Sequence, residues 1–475
     1  MTRVLPRQPA GPRRDAAART ASRAAAGGPT AIDRYLRVRA QSLALAAPLS
    51  EADAQVQSMA DASPTKWHLA HVTWFFETFV LERFEAGFRP FHPAFRILFN
   101  SYYNGIGEQF PRPQRGLVTR PGLAEVKAYR AAVDERMVAL LSKASAQGRR
   151  MRDEAQRRDL AELIELGLQH EQQHQELILT DLKHLLSCNP MAPAYRPAAE
   201  PARAASVPHR WLDFAGGLVE IGHDGQGFAF DNETPRHPVH LRPYALGNRL
   251  VTQGEWLEFV DDGGYAEPRW WLAAGWDWVR QQRIEAPLYW RRKTSGNGRG
   301  ASRWTHFTLH GEEALDARLP VVHVSLYEAD AYARWRAAAS GEPIRLPDEA
   351  EWEHAAQSPP HAAGGSVAAA IAEGNFVDSD ALHPTPPRLA PDDRLLQLFG
   401  DAWEWTASSY RGYPGFRPWP GAAGEYNGKF MIDQYVLRGG SCATPRDHIR
   451  ASYRNFFPAE ARWQFSGVRL ARDLE

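Results

Sequence analysis

The chain changes character once, in the Pro/Ala-rich stretch from Asn189 to Pro208. Before it, apolar residues recur at helical spacing. After Trp211, short β-type runs alternate with Gly, Pro and Asn turns. No single layered core accommodates both patterns, and 475 residues is long for one domain. The predicted organisation is a disordered tail over 1–30, a helical bundle over 31–188, a linker over 189–209 and a loop-rich second domain over 210–475, giving an α+β chain. Within the first half, helical spacing predicts helices over 31–60 (Ile32, Tyr35, Leu36, Val38, Leu43, Leu45), 63–86, 122–146 and 152–187. Ser63-Pro64 reads as an N-cap followed by Pro at the first helical position. The connection over 87–121, with Pro90, Pro93, Pro111 and Pro113, is long enough to predict a functional loop. In the second half, Gly217–Gly222, Val239–Leu241 and Val321–Val324 read as strands and 326–339 as a helix.

Lys+Arg and Asp+Glu are both 56, which argues against a general nucleic-acid or anionic-membrane binder. No apolar run reaches membrane-spanning length. Residues 1–30 are rich in Ala, Arg and Pro and lack the apolar core of a secretory signal. Two cysteines, Cys188 and Cys442, make neither a disulfide framework nor a Cys-based zinc site, so a reducing, cytoplasmic setting is expected. Sixteen Trp suit an irregular core and pockets for planar ligands.

Chemistry concentrates at Leu168-Gln169-His170-Glu171-Gln172-Gln173-His174-Gln175-Glu176. His170 and His174 are four residues apart, a rotation of about 400°, so both rings leave one helix face and can grip one metal ion. The same residues spell the H-E-x-x-H zinc-peptidase pattern. Glu176 lies about 200° round the helix from His174 and should point away. No Glu occurs between Glu176 and Glu200, and Leu177 and Thr180 stand where a metzincin needs Gly and His. The peptidase therefore lacks its third ligand. Trp67-His68-Leu69-Ala70-His71 offers another imidazole, with one His a candidate ligand and the other its neighbour. Imidazole suits Fe, Cu and Zn alike, so spacing does not choose the metal.

Three segments of the first half, Ser63-Pro64-Thr65-Lys66-Trp67-His68-Leu69-Ala70-His71, Asn100-Ser101-Tyr102-Tyr103-Asn104 and His170-x3-His174-x-Glu176, resemble the DinB-like half of the ergothioneine-biosynthesis sulfoxide synthases. Phe399-Gly400-Asp401-Ala402-Trp403-Glu404-Trp405-Thr406, Leu437-Arg438-Gly439-Gly440-Ser441 and Phe465-Ser466-Gly467-Val468-Arg469-Leu470 resemble the sulfatase-modifying, formylglycine-generating domain, a C-type-lectin-like fold. The likeness spans about residues 31–473. It implies a DinB-like four-helix bundle followed by that domain, and a monomeric non-haem iron(II) enzyme. Such an enzyme uses O2 to join a thiol sulfur to the imidazole C2 of hercynine, giving the sulfoxide. The ligands implied are His71, His170 and His174. Formylglycine chemistry is not expected, because it needs a pair of cysteines in the second domain, where Cys442 stands alone.

The resemblance also assigns roles. Gln173 would meet the substrate imidazole. Tyr102 and Tyr103 match catalytic tyrosines able to deliver a proton. Arg112 would clamp the carboxylate of the thiol substrate, with Arg115 the alternative. Asn455 and Phe456 match positions that hold the trimethylammonium group, which suits an aromatic face. Phe457 stands where relatives using γ-glutamylcysteine carry Asp, which points to free cysteine. The alternatives are a 5-histidylcysteine sulfoxide synthase, whose relatives usually carry a methyltransferase domain not seen before Glu475, and a selenoneine synthase taking a seleno-sugar. Outside the family stand a zinc metallopeptidase and a lectin-like binding protein.

Overall fold

The structure is a computed structural model and describes residues 30–147, 154–197, 206–292, 304–358, 365–389, 391 and 393–474. The predicted tail thus lies outside the described residues except for Thr30, which belongs to the first helix as its cap. Its Oγ1 accepts the Asp33 amide at 3.1 Å and the Asp33 carboxylate accepts the Thr30 amide at 2.9 Å.

Four long helices form the first domain: Ala31–Ala46, Thr65–Phe75, Leu123–Gln147 and Glu154–Ser187. The helix predicted over 31–60 stops at Ala46, just before Pro48, and a separate short helix, Glu51–Gln55, starts under its own Ser50/Asp53 capping box. The second helix begins one residue later than predicted, at Thr65, with Pro64 in the cap position and no side-chain cap bond. Ser63 is used elsewhere: its amide donates to Asp181 Oδ2 at 2.8 Å, and its Oγ accepts from Arg115 at 2.9 Å. This helix then widens into a π-helical turn, Phe76–Leu81, a local irregularity often found at functional sites.

Gly167 sets the spacing between the second and fourth helices. A Cβ there would lie 2.6 Å from the Phe76 ring, so only glycine lets the two backbones approach this closely, one turn before His170. The shared interior is aromatic, with Tyr35, Trp67, Trp74, Phe75 and Phe76 all buried.

The second domain is built from small sheets. One four-stranded sheet orders Trp211–Phe214, Tyr244–Gly247, Ala471–Asp473 and Ile344–Arg345, and the other orders Asn455–Pro458, Gln434–Arg438, Trp403–Ser409 and Ser466–Gly467. The three motifs of this half converge in the second sheet, where Arg438 opposes Glu404 and Gly467 pairs beside Glu404. Glu404 is fully buried, and the Arg469 guanidinium donates to both its oxygens at 2.8 Å. The run Val321–Val324 is buried but is not a strand; its amides bond singly to Val251 and Ser466 carbonyls. Gly217–Ile221 and His237–Leu241 do pair as strands, and Leu326–Ser340 is a helix capped by Ser325 and Glu328.

Glu176 fastens the two domains together. It faces away from the imidazoles, as its azimuth requires, and accepts hydrogen bonds from Trp403 Nε1 (2.8 Å), Ser441 Oγ (2.6 Å) and Thr444 Oγ1 (2.6 Å).

Candidate active site

His71, His170 and His174 are buried, and each offers one nitrogen within 4.8 Å of the other two. His71 Nδ1 donates to the Phe99 carbonyl at 2.6 Å, which leaves the lone pair on Nε2. That nitrogen lies 3.2 Å from His170 Nε2. Two nitrogens on one transition ion, at ~2.1 Å each and tetrahedral or octahedral angles, would be roughly 3.0–3.4 Å apart. The spacing fits a shared ion.

His174 is oriented through His68. Asp181 Oδ2 accepts from His68 Nε2 at 3.0 Å, so His68 Nδ1 accepts from His174 Nδ1 at 2.8 Å and the His174 lone pair falls on Nε2. Burial holds His170 down to about 3, and His71 and His174 well below the ordinary imidazole range. The cluster is therefore neutral and fit to ligate a metal. Glu171, the base of the peptidase pattern, points into a different network. Arg39 Nη1 donates to it at 2.8 Å, Ser42 Oγ at 2.6 Å, and Arg130 also pairs with it.

Gln173 shares the metal face. Its amide nitrogen donates to Tyr453 Oη at 2.5 Å, Tyr453 donates to His448 Nε2 at 3.0 Å, and His448 Nδ1 donates to Gln169 Oε1 at 2.6 Å. This chain crosses between the domains and fixes which way the Gln173 amide points.

Tyr102 and Tyr103 lie with ring centroids 4.7 Å apart, and burial pushes both phenols above their usual range. The Tyr103 hydroxyl is buried without a partner. Arg112 is exposed and bonds to the Asp61 carbonyl. Arg115 is only 2% exposed, lies 3.4 Å over the Trp67 ring and, among the described residues, donates only to the Ser63 and Ser101 hydroxyls. Trp67 in turn stacks on His71 at 4.6 Å. Asn455 and Phe456 share a strand but face opposite ways. Phe456 stacks on Tyr410 at 4.0 Å and approaches Phe430, which packs edge-on against Tyr102. Phe457 turns to Trp463, 5.8 Å away.

Sequence reasoning missed Tyr426. Its ring lies edge-on to His170 at 5.6 Å and its hydroxyl is buried without a partner. It sits in a Gly/Ala-rich loop with no periodicity, so no local signal marks it.

Two domain families match the chain: the DinB superfamily over residues 34–178 and the sulfatase-modifying factor enzyme 1-like domain over 197–474. The hercynine oxygenase of Mycolicibacterium thermoresistibile is 33% identical over 444 residues, covering 89% of this chain and 91% of that protein. That of Mycobacterium tuberculosis is 32% identical over 453 residues, covering 92% of this chain and 97% of that protein. The chain belongs to the hercynine oxygenase family. Within that family it is an oxygenase of the ergothioneine-pathway sulfoxide synthase group. The formylglycine-generating enzyme of Streptomyces coelicolor is 34% identical, over 35% of this chain and 53% of that protein, so this likeness extends to one domain only. Among the described residues, no helix is long and apolar enough to cross a membrane.

Proposed function

We propose that the protein is an iron(II)- and O2-dependent sulfoxide synthase that joins the sulfur of cysteine to the imidazole C2 of hercynine. The observation that carries this reading is the neutral cluster of His71, His170 and His174, whose neighbouring carboxylates are all engaged elsewhere: Glu171 with Arg39 and Arg130, Glu176 with the second domain, and Asp181 with His68. A peptidase reading has no base left. His71, His170 and His174 would hold the iron, which would supply the electron transfer that activates O2.

The chain's own residues do the rest. Gln173 has its N–H committed to Tyr453, which leaves its carbonyl oxygen to accept the imidazole N–H of hercynine and aim C2 at the metal. Phe456 and the rings stacked on it offer an apolar, π-rich wall for the trimethylammonium group. Arg115 takes the cysteine carboxylate; burial and nearby Arg112 both work against its charge, and a bound carboxylate relieves that. The buried phenols Tyr103 and Tyr426 stay protonated and hold protons for oxygen as it is reduced. One oxygen atom enters the sulfoxide. The other leaves as water, with the hydrogens of the thiol and of C2. The apolar Phe457 favours free cysteine as donor.

Anaerobic loading with Fe(II), hercynine and cysteine, followed by O2, should give hercynylcysteine sulfoxide. Parallel reactions offer γ-glutamylcysteine, a seleno-sugar, and histidine in place of hercynine. No product with any pair refutes the assignment, and a preference for the dipeptide refutes the reading of Phe457.

A further inference from the structure

The second domain holds another set of metal-ligating side chains that the proposed oxygenase chemistry does not use. His306 lies on strand Trp304–Thr308 and Glu313 on strand Gly311–Ala314. They are direct register partners across this hairpin, so their side chains rise from the same face. His383 comes from a loop far along the chain, and its ring lies 5.3 Å from that of His306 at 78°. One ligand atom from each of the three falls within 4.8 Å of the others.

Hydrogen bonding leaves the cluster unfinished. His383 is 8% exposed and His306 5% exposed. His383 Nδ1 donates to the Pro384 carbonyl at 2.9 Å, which puts the lone pair on Nε2. That Nε2 and the Nε2 of His306 are both buried without a partner, and His306 Nδ1 meets the Gln253 amide nitrogen only at 3.5 Å, too long to fix the proton on Nε2. Two orphaned imidazole nitrogens beside one carboxylate are unfavourable unless something sits between them. The His383 loop is also built to hold this position. Asp380 and Leu382 adopt left-handed backbone (φ 56° and 48°), costly for residues with a Cβ. His310 Nε2 ties the Ala381 carbonyl at 2.9 Å, and Asn375 Nδ2 ties the His383 carbonyl at 2.9 Å.

We infer that His306, Glu313 and His383 form a second metal site that takes a divalent transition ion such as Zn2+. Two imidazoles and one carboxylate are a familiar donor set for zinc, with a fourth position open to water. The ion would clamp the hairpin to the 380–385 loop. The opposing charge is Lys183, which acts on both imidazoles through space. Burial brings that ammonium down to about 7, so the ion meets less than a full repelling charge near neutral pH.

The test uses full-length protein in which His71→Ala and His174→Ala disable the first cluster. After chelator treatment it is titrated with Zn2+ by calorimetry and with Co2+ by visible absorption. About one equivalent of Zn2+ should bind, with Co2+ bands of low-coordinate N/O ligation. Adding Glu313→Gln should weaken Zn2+ binding by roughly a hundredfold or abolish it, and His383→Ala should do the same. If His383→Ala fails to fold, the half-buried Glu313→Gln decides alone. No bound equivalent in the parent double variant, or binding undiminished by Glu313→Gln, overturns the inference. Neither readout depends on product formation, so failure of the oxygenase reading would be seen separately.

Discussion

Replacing Glu171 by Gln separates the two meanings of the H-E-x-x-H pattern. A peptidase base is spent on chemistry, and its loss abolishes turnover with little cost in stability. Glu171 here is a buried counter-ion shared by Arg39 and Arg130, with Ser42 donating at 2.6 Å. Removing one partner of a buried ion pair costs about 3–5 kcal/mol. Arg130 retains only the Arg39 carbonyl and a long contact to Thr73, but Arg39 keeps Asp134 at 2.6 Å and the introduced amide still offers an acceptor oxygen, so the low end, about 3 kcal/mol, applies. At roughly 2–4 °C per kcal/mol for a domain of this size, Tm should fall by about 6–12 °C. The pH dependence gives a second check. Burial pushes the Glu171 carboxyl up, but Arg130 and Arg39 more than offset this and hold it below its ordinary 4.5. A depressed carboxyl contributes stability above its unfolded value and loses it as pH falls through the folded one. The gap between wild type and variant should thus be full at pH 7 and narrow progressively as pH falls below 4.5. Calorimetry across pH, with product formation on iron-loaded protein at 15 °C, makes the comparison. A variant with unchanged Tm but no turnover would refute the structural role of Glu171.

Two further outcomes are expected. Arg115→Met should raise KM for cysteine about 10–100-fold, the worth of a charge-assisted bond, while Arg112→Met stays within about twofold; steady-state kinetics showing the reverse order would return the clamp to Arg112. Lys183 is brought by burial from 10.5 to about 7 in the folded state, so the unfolded chain binds the extra proton between those values and stability rises with pH across them. Lys183→Met should flatten the rise in Tm between pH 7 and about 9.5, and an unchanged slope would show that other groups set it.

The parts of this molecule legible in its sequence are those set by local geometry. The His170–His174 spacing and the exclusion of Glu176 follow from helix azimuth alone, and the structure turns Glu176 to the far side. Family motifs carried His71 where spacing left it level with His68; the structure gives the two different jobs, with His68 bridging His174 and Asp181. What stayed hidden depends on contacts distant in sequence. Tyr426 reaches His170 only because the domains dock, and nothing in its own loop announces this. Arg112 and Arg115 share one 3-10 turn, Arg112–Leu117, and only the packing of Trp67 decides which is buried. Val321–Val324 has the composition of a core strand, but it bonds only singly to Val251 on one neighbour and Ser466 on another, so no continuous ladder forms.

Glu176 lies two residues beyond a candidate ligand, yet every donor to it belongs to the other domain. Neither module can therefore be exchanged alone. A chimera taking its bundle from one relative and its lectin-like half from another must carry Trp403, Ser441 and Thr444 along with Glu176. A graft that breaks this set buries a lone carboxylate beneath the seam and lets the helix bearing His170, Gln173 and His174 turn out of register with Tyr453. Recombination between such enzymes is thus confined to crossovers that keep this foursome together, a stricter boundary than the linker between the domains.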